Sequence, residues 1–598
     1  MKKIRKTFYL TLGLLFVLNA NSVIELQKNV ASDRIEFASF GYSVSMSGDY
    51  AVIGAYGGES PGCAYVFKRD NTSWTQEAKL NAFDSAKYDR FAYSVAISGD
   101  YIIVGAYSED EDAIGGSTMD ESGSAYIFKR NETSWIQEAK IVASDRAKDD
   151  YFGYSVAIDD DYAIVGAYKE DEDTTGNNTL ESAGSAYIFK RSGTQWNQQI
   201  KLVAPIREAS DNFAYAVCMC DDYAIVGAIG EDEDALEGDY IASTGSAYIF
   251  KRDGKDWIQE SKLVAGDRDT YDYFAASIAM WGDYIIIGAE AEDHDVSGEN
   301  YKDAAGSAYI FYYNGTFWDQ QAKLVALDRN AGDYFGKSVS IFDNYAVVGA
   351  YNEDEDSLGN NTLEYAGSAY VFEREATNWN QVAKLVPSDR ASGDMFGKSV
   401  SILDDYILVS ACHEDEDEDG NNTITRAGSA YIFNISLSEG ASPIDLNEFT
   451  ATVNNTSITL RWEVASESNN SHFNIYRNGT KIGSVEGAGT ICDSREYVFI
   501  DSQIIKGVSY EYMLADVDYA NNENLYEDEA ISVTVSDNNI INGYKLLQNY
   551  PNPFNPITSI TYQLPQSSLV KLELLGLSGE IIKILVNDIQ DRGYYTIK

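Results

Sequence analysis

Residues Phe152–Ala204 read FGYSVAIDDDYAIVGAYKEDEDTTGNNTLESAGSAYIFKRSGTQWNQQIKLVA, and this stretch decides the fold. It contains four short runs rich in β-branched and aromatic residues: FGYSVAI, YAIVGAY, GSAYIF and the run from Trp196 to Val203. Turns containing Gly, Asp and Asn separate them, which is typical of short β-strands. We therefore predict that the stretch folds as one unit of four strands.

The unit repeats along the chain, at a spacing of 51 residues once and 61 residues five times. Its opening Phe recurs as Phe40, Phe91, Phe152, Phe213, Phe274, Phe335 and Phe396. A fixed period of this size indicates an array of one supersecondary unit. Four strands per repeat predict the blade of a β-propeller, and seven copies predict seven blades. A solenoid is the alternative, and it would need capping repeats at its ends.

The ends of the array favour a closed ring. The seventh repeat stops after GSAYIF at Phe433, so the Trp of the fourth strand occurs only six times: Trp74, Trp135, Trp196, Trp257, Trp318 and Trp379. Residues 28–34 read KNVASDR and residues 140–146 read KIVASDR, which places the missing strand before the first repeat. We predict an all-β propeller over residues 23–434, with residues 23–31 as the fourth strand of blade seven. This closure removes open sheet edges.

The repeat resembles the FG-GAP repeat of integrin α-chain propellers. The resemblance rests on a Phe-Gly pair and a Gly-Ala pair: Phe40-Gly41, Phe152-Gly153, Phe335-Gly336 and Phe396-Gly397, then Gly54-Ala55, Gly105-Ala106, Gly166-Ala167, Gly227-Ala228, Gly288-Ala289 and Gly349-Ala350. It implies a secreted or surface-exposed binding propeller. Many members of that family carry a DxDxDG calcium loop between strands one and two, whereas this chain has only a tight turn there, such as Ser47-Gly48-Asp49.

The net charge and the N-terminal residues limit the class of protein to which this chain can belong. The 598 residues include 45 basic and 94 acidic side chains, a formal net charge of −49, so the chain lacks the basic surface that nucleic acid binding requires. Residues 1–22 have the pattern of a secretory signal: Lys2 to Lys6 is basic, Phe8–Leu18 is apolar, and Ala20-Asn21-Ser22 offers a small-residue cleavage site. The apolar run is too short to span a bilayer, and no other stretch of the sequence is apolar enough.

Strand order predicts which connections share a rim of the propeller. In a blade of four antiparallel strands, the connection between strands two and three lies on the same rim as the connection to the next blade. Six repeats carry an acidic insert between strands two and three, which blade one lacks: Glu109–Asp112, Glu170–Asp173, Glu231–Asp234, Glu292–Asp295, Glu353–Asp356 and Glu414–Asp419. Five connections between blades carry Asp-Arg with the Arg six residues before the repeating Phe, and this Arg either pairs with nearby carboxylates or faces a partner: Asp33-Arg34, Asp145-Arg146, Asp267-Arg268, Asp328-Arg329 and Asp389-Arg390.

The acidic inserts are candidate calcium sites, because oxygen ligands at alternate positions suit a hard cation. Blade seven has the fullest pattern, a DxDxDG at residues 415–420, although Arg426 stands where a calcium loop would place Glu. The alternative is a solvated acidic loop. The candidate ligands are Asp110, Asp112, Asp171, Asp173, Asp232, Asp234, Asp293, Asp295, Asp354, Asp356, Asp415, Asp417 and Asp419.

The sequence changes character after the propeller. Residues 435–444 are expected to be a polar linker. Residues 445–536 contain alternating strands at the spacing of a β-sandwich and resemble a fibronectin type III module. Residues 544–598 open with YKLLQNYPNPFNPITSITYQLP and resemble the C-terminal sorting domain of type IX secretion substrates, also a small β-sandwich. That family usually continues with a further strand, so we expect a shortened domain.

The residues favour binding over catalysis. The chain has only three histidines, His294, His413 and His472, and none stands in a recognisable triad motif. The carboxylates repeat regularly, whereas a glycosidase pair should break the symmetry at one place. We expect a non-enzymatic adhesion protein, secreted or on the outer surface after passing the periplasm of a Gram-negative bacterium. Its expected partners are an extracellular protein or glycan and the type IX machinery. The alternatives are an extracellular enzyme acting on polysaccharide and a structural surface-layer protein.

Overall fold

A computed structural model describes residues 23–57, 61–236, 238–357, 359–360, 362–418, 420–435, 444–454, 457–491, 495–505, 508–518, 523–526, 530–535, 543–547, 549, 558–575 and 581–597. The predicted signal peptide, most of the predicted linker and most of the Pro-rich segment after Asn549 lie outside these residues. The chain divides into two compact units, one up to Ala441 and one from Ser442 onward. The described residues contain no helix that is both long and apolar enough to cross a bilayer.

The first unit consists of seven antiparallel sheets of four strands, which confirms the predicted seven-bladed propeller. The strands are numbered in chain order from β1 (Ile24–Asn29). The first strands of blades one to seven are β2 (Val44–Ser47), β6 (Phe91–Ser98), β10 (Ser155–Asp159), β14 (Phe213–Cys220), β18 (Phe274–Trp281), β22 (Ser338–Phe342) and β26 (Phe396–Leu403). The second strands are β3 (Tyr50–Ala55), β7 (Tyr101–Ala106), β11 (Tyr162–Ala167), β15 (Tyr223–Ala228), β19 (Tyr284–Ala289), β23 (Tyr345–Ala350) and β27 (Tyr406–Ala411).

The third and fourth strands complete the blades towards their outer edge. The third strands are β4 (Cys63–Asp70), β8 (Ser124–Asn131), β12 (Ser185–Ser192), β16 (Ser246–Asp253), β20 (Ser307–Tyr313), β24 (Ser368–Glu375) and β28 (Ser429–Asn434). The fourth strands of blades one to six are β5 (Ser73–Leu80), β9 (Ser134–Ile141), β13 (Gln195–Leu202), β17 (Asp256–Leu263), β21 (Trp318–Leu324) and β25 (Asn378–Leu385).

The strand β1 stands in the fourth position of blade seven, within the range predicted for the closing strand. It pairs antiparallel with β28, which gives the order β1-β28-β27-β26. Val23 precedes Lys28 by five residues, as Trp196 precedes Lys201 in blade three, and Val23 packs against the core between blades six and seven. The ring is closed, because β26 contacts β2 at the centre and β1 contacts β5 at the outer edge.

Seven hydrophobic cores lie between neighbouring blades. The repeating Phe is fully buried in them, and its ring packs edge-on against aromatic residues of the third strand. For Phe152 these are Tyr187 at 5.5 Å and Phe189 at 6.0 Å between ring centroids. Such pairs add about 0.5–1.5 kcal/mol each beyond their buried area. Nearer the outer edge, Trp196 packs against Tyr101 of the preceding blade at 5.8 Å.

The glycine that opens each third strand sets how closely consecutive blades approach. Gly184 has a φ of +82°, and a Cβ there would lie 2.0 Å from the carbonyl oxygen of Phe213 in the next blade. Only glycine combines this left-handed backbone with so close an approach. A parallel bridge joins Gly184 to Phe213. The long connection before Gly184 therefore ends beside the entry of the next blade, on one shared rim.

The described residues of the second unit form three further β-sheets. The largest has seven strands, β29 (Ile444–Val453), β30 (Ile458–Arg477), β31 (Thr480–Ile491), β32 (Arg495–Asp501), β33 (Ser509–Asp518), β34 (Glu523–Leu525) and β35 (Ile531–Thr534). Its core includes Trp462, which stacks on Tyr497 with centroids 5.6 Å apart. The others are the sheet of β36 (Lys545–Leu546), β37 (Ile560–Leu564) and β40 (Gly593–Ile597), and the pair β38 (Ser568–Leu575) and β39 (Ile581–Gln590).

Candidate functional site

The acidic loops are the connections between the second and third strands of blades two to seven. Each spans seventeen positions: 107–123, 168–184, 229–245, 290–306, 351–367 and 412–428. The connectors are the ten-residue segments that lead from the fourth strand of one blade to the Phe of the next: 30–39, 81–90, 142–151, 203–212, 264–273, 325–334 and 386–395. Hydrogen bonds between loops and connectors place both on one rim, as predicted. We call it the loop rim.

The first glutamate of every acidic loop is buried, although the sequence suggests a solvated charge. These glutamates are at most 3% exposed: Glu109, Glu170, Glu231, Glu292, Glu353 and Glu414. Each forms an ion pair with a lysine of the fourth strand in its own blade: Lys140, Lys201, Lys262, Lys323, Lys384 and Lys28, in that order. In blade two, the Tyr126 hydroxyl also donates to Glu109 at 2.7 Å. The glutamates therefore fix the base of each loop to its blade.

The two aspartates of each alternating pair hold the loop in shape. Oδ1 of Asp171 accepts a hydrogen bond from the backbone N–H of Ser182, eleven residues later, at 2.8 Å. Oδ1 of Asp173 accepts from the N–H groups of Thr175 and Asn177, at 2.7 and 3.3 Å, and so closes a turn inside the loop. The first contact recurs at Asp110, Asp232, Asp293, Asp354 and Asp415. Contacts of the second kind recur at Asp112, Asp234, Asp295, Asp356 and Asp417.

The aspartates of the acidic loops are the candidate calcium ligands, and each of those that the structure describes accepts a main-chain N–H through Oδ1. Calcium takes six to eight oxygen ligands, so main-chain and water oxygens would have to complete any such site. Across the part of the chain that the structure describes, no three or more His, Cys, Asp or Glu side chains form a group that could hold a metal ion. Asp419, the third acid of the blade-seven DxDxDG, lies outside the described residues. Calcium binding by the acidic loops of blades two to seven stays a prediction.

The connector arginines donate to main-chain oxygens of the loops, a role that neither of the two expected alternatives, pairing with carboxylates or facing a partner, includes. Arg146 donates to the carbonyl oxygen of Asp110 and to the Ser122 hydroxyl, both at 2.7 Å. Arg207, which the Asp-Arg pattern missed, donates to the carbonyl oxygens of Asp171 and Asn178 at 2.7 and 2.8 Å. Its spacing of 61 residues from Arg146 could have revealed it. Every acidic loop has such a donor on the connector that follows its blade: Arg34, Arg146, Arg207, Arg268, Arg329 and Arg390.

A second set of buried carboxylates lies beneath the loops. Six connector aspartates stand two residues before the repeating Phe, and each accepts the N–H of the residue three positions earlier: Asp89, Asp150, Asp211, Asp272, Asp333 and Asp394. Burial raises the pKa of each to about 7. The nearby charge of the loop glutamate adds to the effect, as that of Glu170 does at Asp150.

Blade one interrupts the acidic rim. In place of the loop it has a connection of only seven residues, 56–62, and Gly57 lies against the backbone of the connector before the blade. The two connectors that flank blade one expose large apolar side chains. These residues, which we call the blade-one patch, are 42% to 70% exposed: Ile35, Phe37, Phe83 and Tyr88.

The histidines form no common site. His294 and His413 lie in the acidic loops of different blades, and His472 lies in the second unit. Burial and the charge of Arg426 lower the pKa of His413 to about 4. The contact of His472 with a hydroxyl is to Ser471, its neighbour in sequence. The loop rim is therefore a surface built of repeated, internally bonded loops, with no site shared by the three histidines of the described residues.

Comparison with known proteins agrees with the repeat. The FG-GAP repeat family model matches residues 24–67, 74–128, 135–189, 196–250, 257–311, 318–372 and 379–433, which is more than half of the chain. No curated protein matches the chain. Among solved structures, the β-propeller domain of the Trilobed protease from Pyrococcus furiosus, described as having an open velcro topology, is similar with a TM-score of 0.37 and 11% identity, over 68% of this chain and 100% of that chain. The chain belongs to the FG-GAP repeat family.

Proposed function

We propose that this protein is a secreted or surface-attached, non-enzymatic binding protein, and that the loop rim engages an extracellular protein or glycan. The observation that carries the proposal is the blade-one patch. Phe37 and Tyr88 expose aromatic surface where the acidic loop is missing. Exposed aromatic side chains rimmed by polar groups are a common feature of interaction sites.

The internal bonding of the loops supports the same role. Each acidic loop is closed by its aspartates and held by a connector arginine, so it loses little conformational freedom when a partner binds. Preorganised loops improve affinity by reducing this entropic cost. The same carboxylates recur in six blades with the same main-chain partners, which favours a structural role for them over catalysis.

The proposed function also includes export from the cell. The basic start and apolar run of residues 1–22 favour a secretory signal, and the resemblance of residues 544–598 favours type IX sorting. Deleting residues 544–598 should hold the protein in the periplasm while leaving the propeller folded. Unchanged surface exposure of the deleted protein, measured by protease accessibility on intact cells, would contradict this route.

The binding proposal is tested with the chain from Val23 to Lys598 on protein and glycan arrays. The double variant Phe37→Ser/Tyr88→Ser should weaken partner binding at least about tenfold, because exposed aromatic side chains often dominate interface energetics. The matched control is Ile136→Ser/Ile258→Ser, which removes exposed apolar side chains from fourth strands away from the loop rim. Equal binding by both variants would contradict a partner site at blade one. Hydrolysis of a polysaccharide by the wild-type chain would favour the enzyme alternative.

A further inference from the structure

A ring of side chains at the mouth of the central channel breaks the symmetry of the propeller. The residue two positions after the repeating Phe lies at the start of each first strand, and the first strands contact one another around the centre. In blades one to seven these residues are Tyr42, Tyr93, Tyr154, Tyr215, Ala276, Lys337 and Lys398. The repeating Phe, the loop Glu and the fourth-strand Lys, by contrast, keep the same residue type in nearly every blade. The change from tyrosine to lysine therefore calls for a local explanation.

The four tyrosines form one continuous arc. Ring centroids are 4.8 Å apart between Tyr42 and Tyr93, 4.9 Å between Tyr93 and Tyr154, and 5.2 Å between Tyr154 and Tyr215. The Tyr42 and Tyr93 hydroxyls are hydrogen-bonded at 3.2 Å. All four side chains are half-buried. The arc thus offers aromatic surface and hydroxyl groups at the centre of the loop rim.

The two lysines close the ring but differ in their partners. Lys337 forms an ion pair with Glu290 at 2.9 Å and lies over the ring of Tyr215 at 6.0 Å, while the blade between them carries Ala276 at this position. Lys398 lies over the rings of Tyr42 and Tyr351, at 5.2 and 4.6 Å. Within the described residues, no carboxylate forms an ion pair with Lys398.

One positive charge in this cluster is therefore uncompensated. Lys337 and Lys398 supply two ammonium groups, and Glu290 supplies one carboxylate. Burial and the charge of Lys337 lower the pKa of Lys398. A partly desolvated charge without a counter-ion is costly, and an anion that reached the ring would offset that cost. Aromatic rings alone do not replace an anionic partner, because a cation–π contact is worth only about 0.5–2 kcal/mol.

We propose that this ring binds the carboxylate of an acidic sugar at the mouth of the channel, with Lys398 as its main ionic partner. A carboxylate would form charge-assisted hydrogen bonds with the ammonium group. The tyrosine hydroxyls and Glu290 could bond the sugar hydroxyls, and the aromatic rings suit its apolar face. Six acidic loops surround the mouth, so an extended polyanion would be repelled. The ligand is therefore a single acidic residue at the end of an otherwise neutral glycan.

The test uses the chain from Val23 to Lys598 and isothermal titration calorimetry at constant ionic strength. The probes are methyl β-D-glucuronide, methyl β-D-glucoside, which lacks only the carboxylate, and the acidic tripeptide Gly-Asp-Gly. We expect the glucuronide to bind and the glucoside to bind much more weakly. Lys398→Met should weaken glucuronide binding about tenfold to a hundredfold, the range for losing one charged hydrogen bond, and Lys398→Arg should retain most of it.

The control is Lys190→Met, which removes an exposed lysine that lies over the ring of Tyr162 at 4.9 Å, away from the channel. It should leave glucuronide binding unchanged. No glucuronide binding by the wild type, or equal binding by Lys398→Met and Lys190→Met, would overturn the proposal. Binding of the tripeptide in place of the glucuronide would overturn the assignment to a sugar.

The inference rests on the proposed function only in placing ligands on the loop rim, and the two can fail separately. Phe37→Ser/Tyr88→Ser should leave glucuronide binding unchanged, and Lys398→Met should leave partner binding through the blade-one patch unchanged. Loss of glucuronide binding in the patch variant would overturn the assignment of the sugar to the ring.

Discussion

Replacing Lys323 by methionine tests whether buried lysine–glutamate pairs hold the loop rim. Lys323 Nζ lies 2.7 Å from Asp267 Oδ2 and 2.9 Å from Glu292 Oε1. The Glu292 side chain is fully buried, and that of Lys323 is 5% exposed. Methionine is similar in length but uncharged, so Lys323→Met leaves the Glu292 carboxylate buried without its cation. Removing one partner of a buried ion pair costs about 3–5 kcal/mol.

Blade one supplies a matched control at the same position of the repeat. Lys79 also lies over a third-strand tyrosine, at 5.4 Å from the ring of Tyr65, and pairs with Asp33 at 2.6 Å. Blade one has no acidic loop, so Lys79 has no buried glutamate partner, and the Lys79 and Asp33 side chains are 35% and 50% exposed. An exposed pair contributes about 0–1 kcal/mol, so Lys79→Met should cost little.

The assay is urea unfolding followed by tryptophan fluorescence. If the slope of the propeller transition is unchanged, a shift of its midpoint reports a change in the apparent free energy of unfolding. We expect a loss of about 3–5 kcal/mol for Lys323→Met and of at most about 1 kcal/mol for Lys79→Met. The double variant Lys323→Met/Glu292→Gln should recover part of the loss, because no charge is then left buried. Equal destabilisation by the two single variants would refute the reasoning.

Three further predictions concern protons, metal and closure. The six connector aspartates have a pKa of about 7 when folded, against 3.8 ordinarily, so the folded state keeps protons that the unfolded chain releases. The melting temperature should therefore rise as the pH falls from about 8 to about 6, and Asp150→Asn should flatten this slope; a fall would contradict the assignment. We expect calcium to raise the melting temperature more than sodium does at matched ionic strength, because a ligand that binds only the folded chain stabilises it. Asp417→Asn/Asp419→Asn should weaken this response by removing two carboxylates of the DxDxDG in blade seven, and equal melting curves in calcium and sodium would refute metal binding. Deleting residues 23–31 should lower the melting temperature and promote aggregation by exposing the edge of β28, and equal stability would refute the closing role of β1.

The propeller could be predicted from the sequence because its information is periodic. The spacing of the Phe set the number of blades, and the match between KNVASDR and KIVASDR located the strand that pairs with β28. In the second unit, the sequence pattern alone does not predict the strand boundaries. Trp462 and Phe473 stand in two short alternating runs of the sequence, eleven positions apart, whereas β30 runs through both as one strand of twenty residues. Alternation of apolar and polar residues marks a strand, but it does not show where one strand ends and the next begins.

The candidate site was predicted only in part. The sequence correctly placed six acidic segments on one rim, but it could not show which acids are buried. Glu170 and Asp171 are neighbours, yet Glu170 pairs with Lys201 inside the blade while Asp171 bonds the N–H of Ser182. These partners are 31 and 11 positions away, and only the fold brings them together. The ring of tyrosines and lysines at the centre of the rim was missed for another reason, because Lys337 looks like one more polar residue of a strand.

Blade one shows which residues serve the loop and which serve the blade. Where other connectors carry the loop-binding arginine, the connector after blade one has Ser85, and where they carry the buried aspartate, the connector before it has Ala38. The loop glutamate is absent as well, while Lys79 and Tyr65 remain and stay bonded to Asp33. The loop glutamate, the connector aspartate and the connector arginine therefore act together to support the acidic loop. Because blade one folds without these three residues, a blade can lose its acidic loop while the ring of blades stays closed.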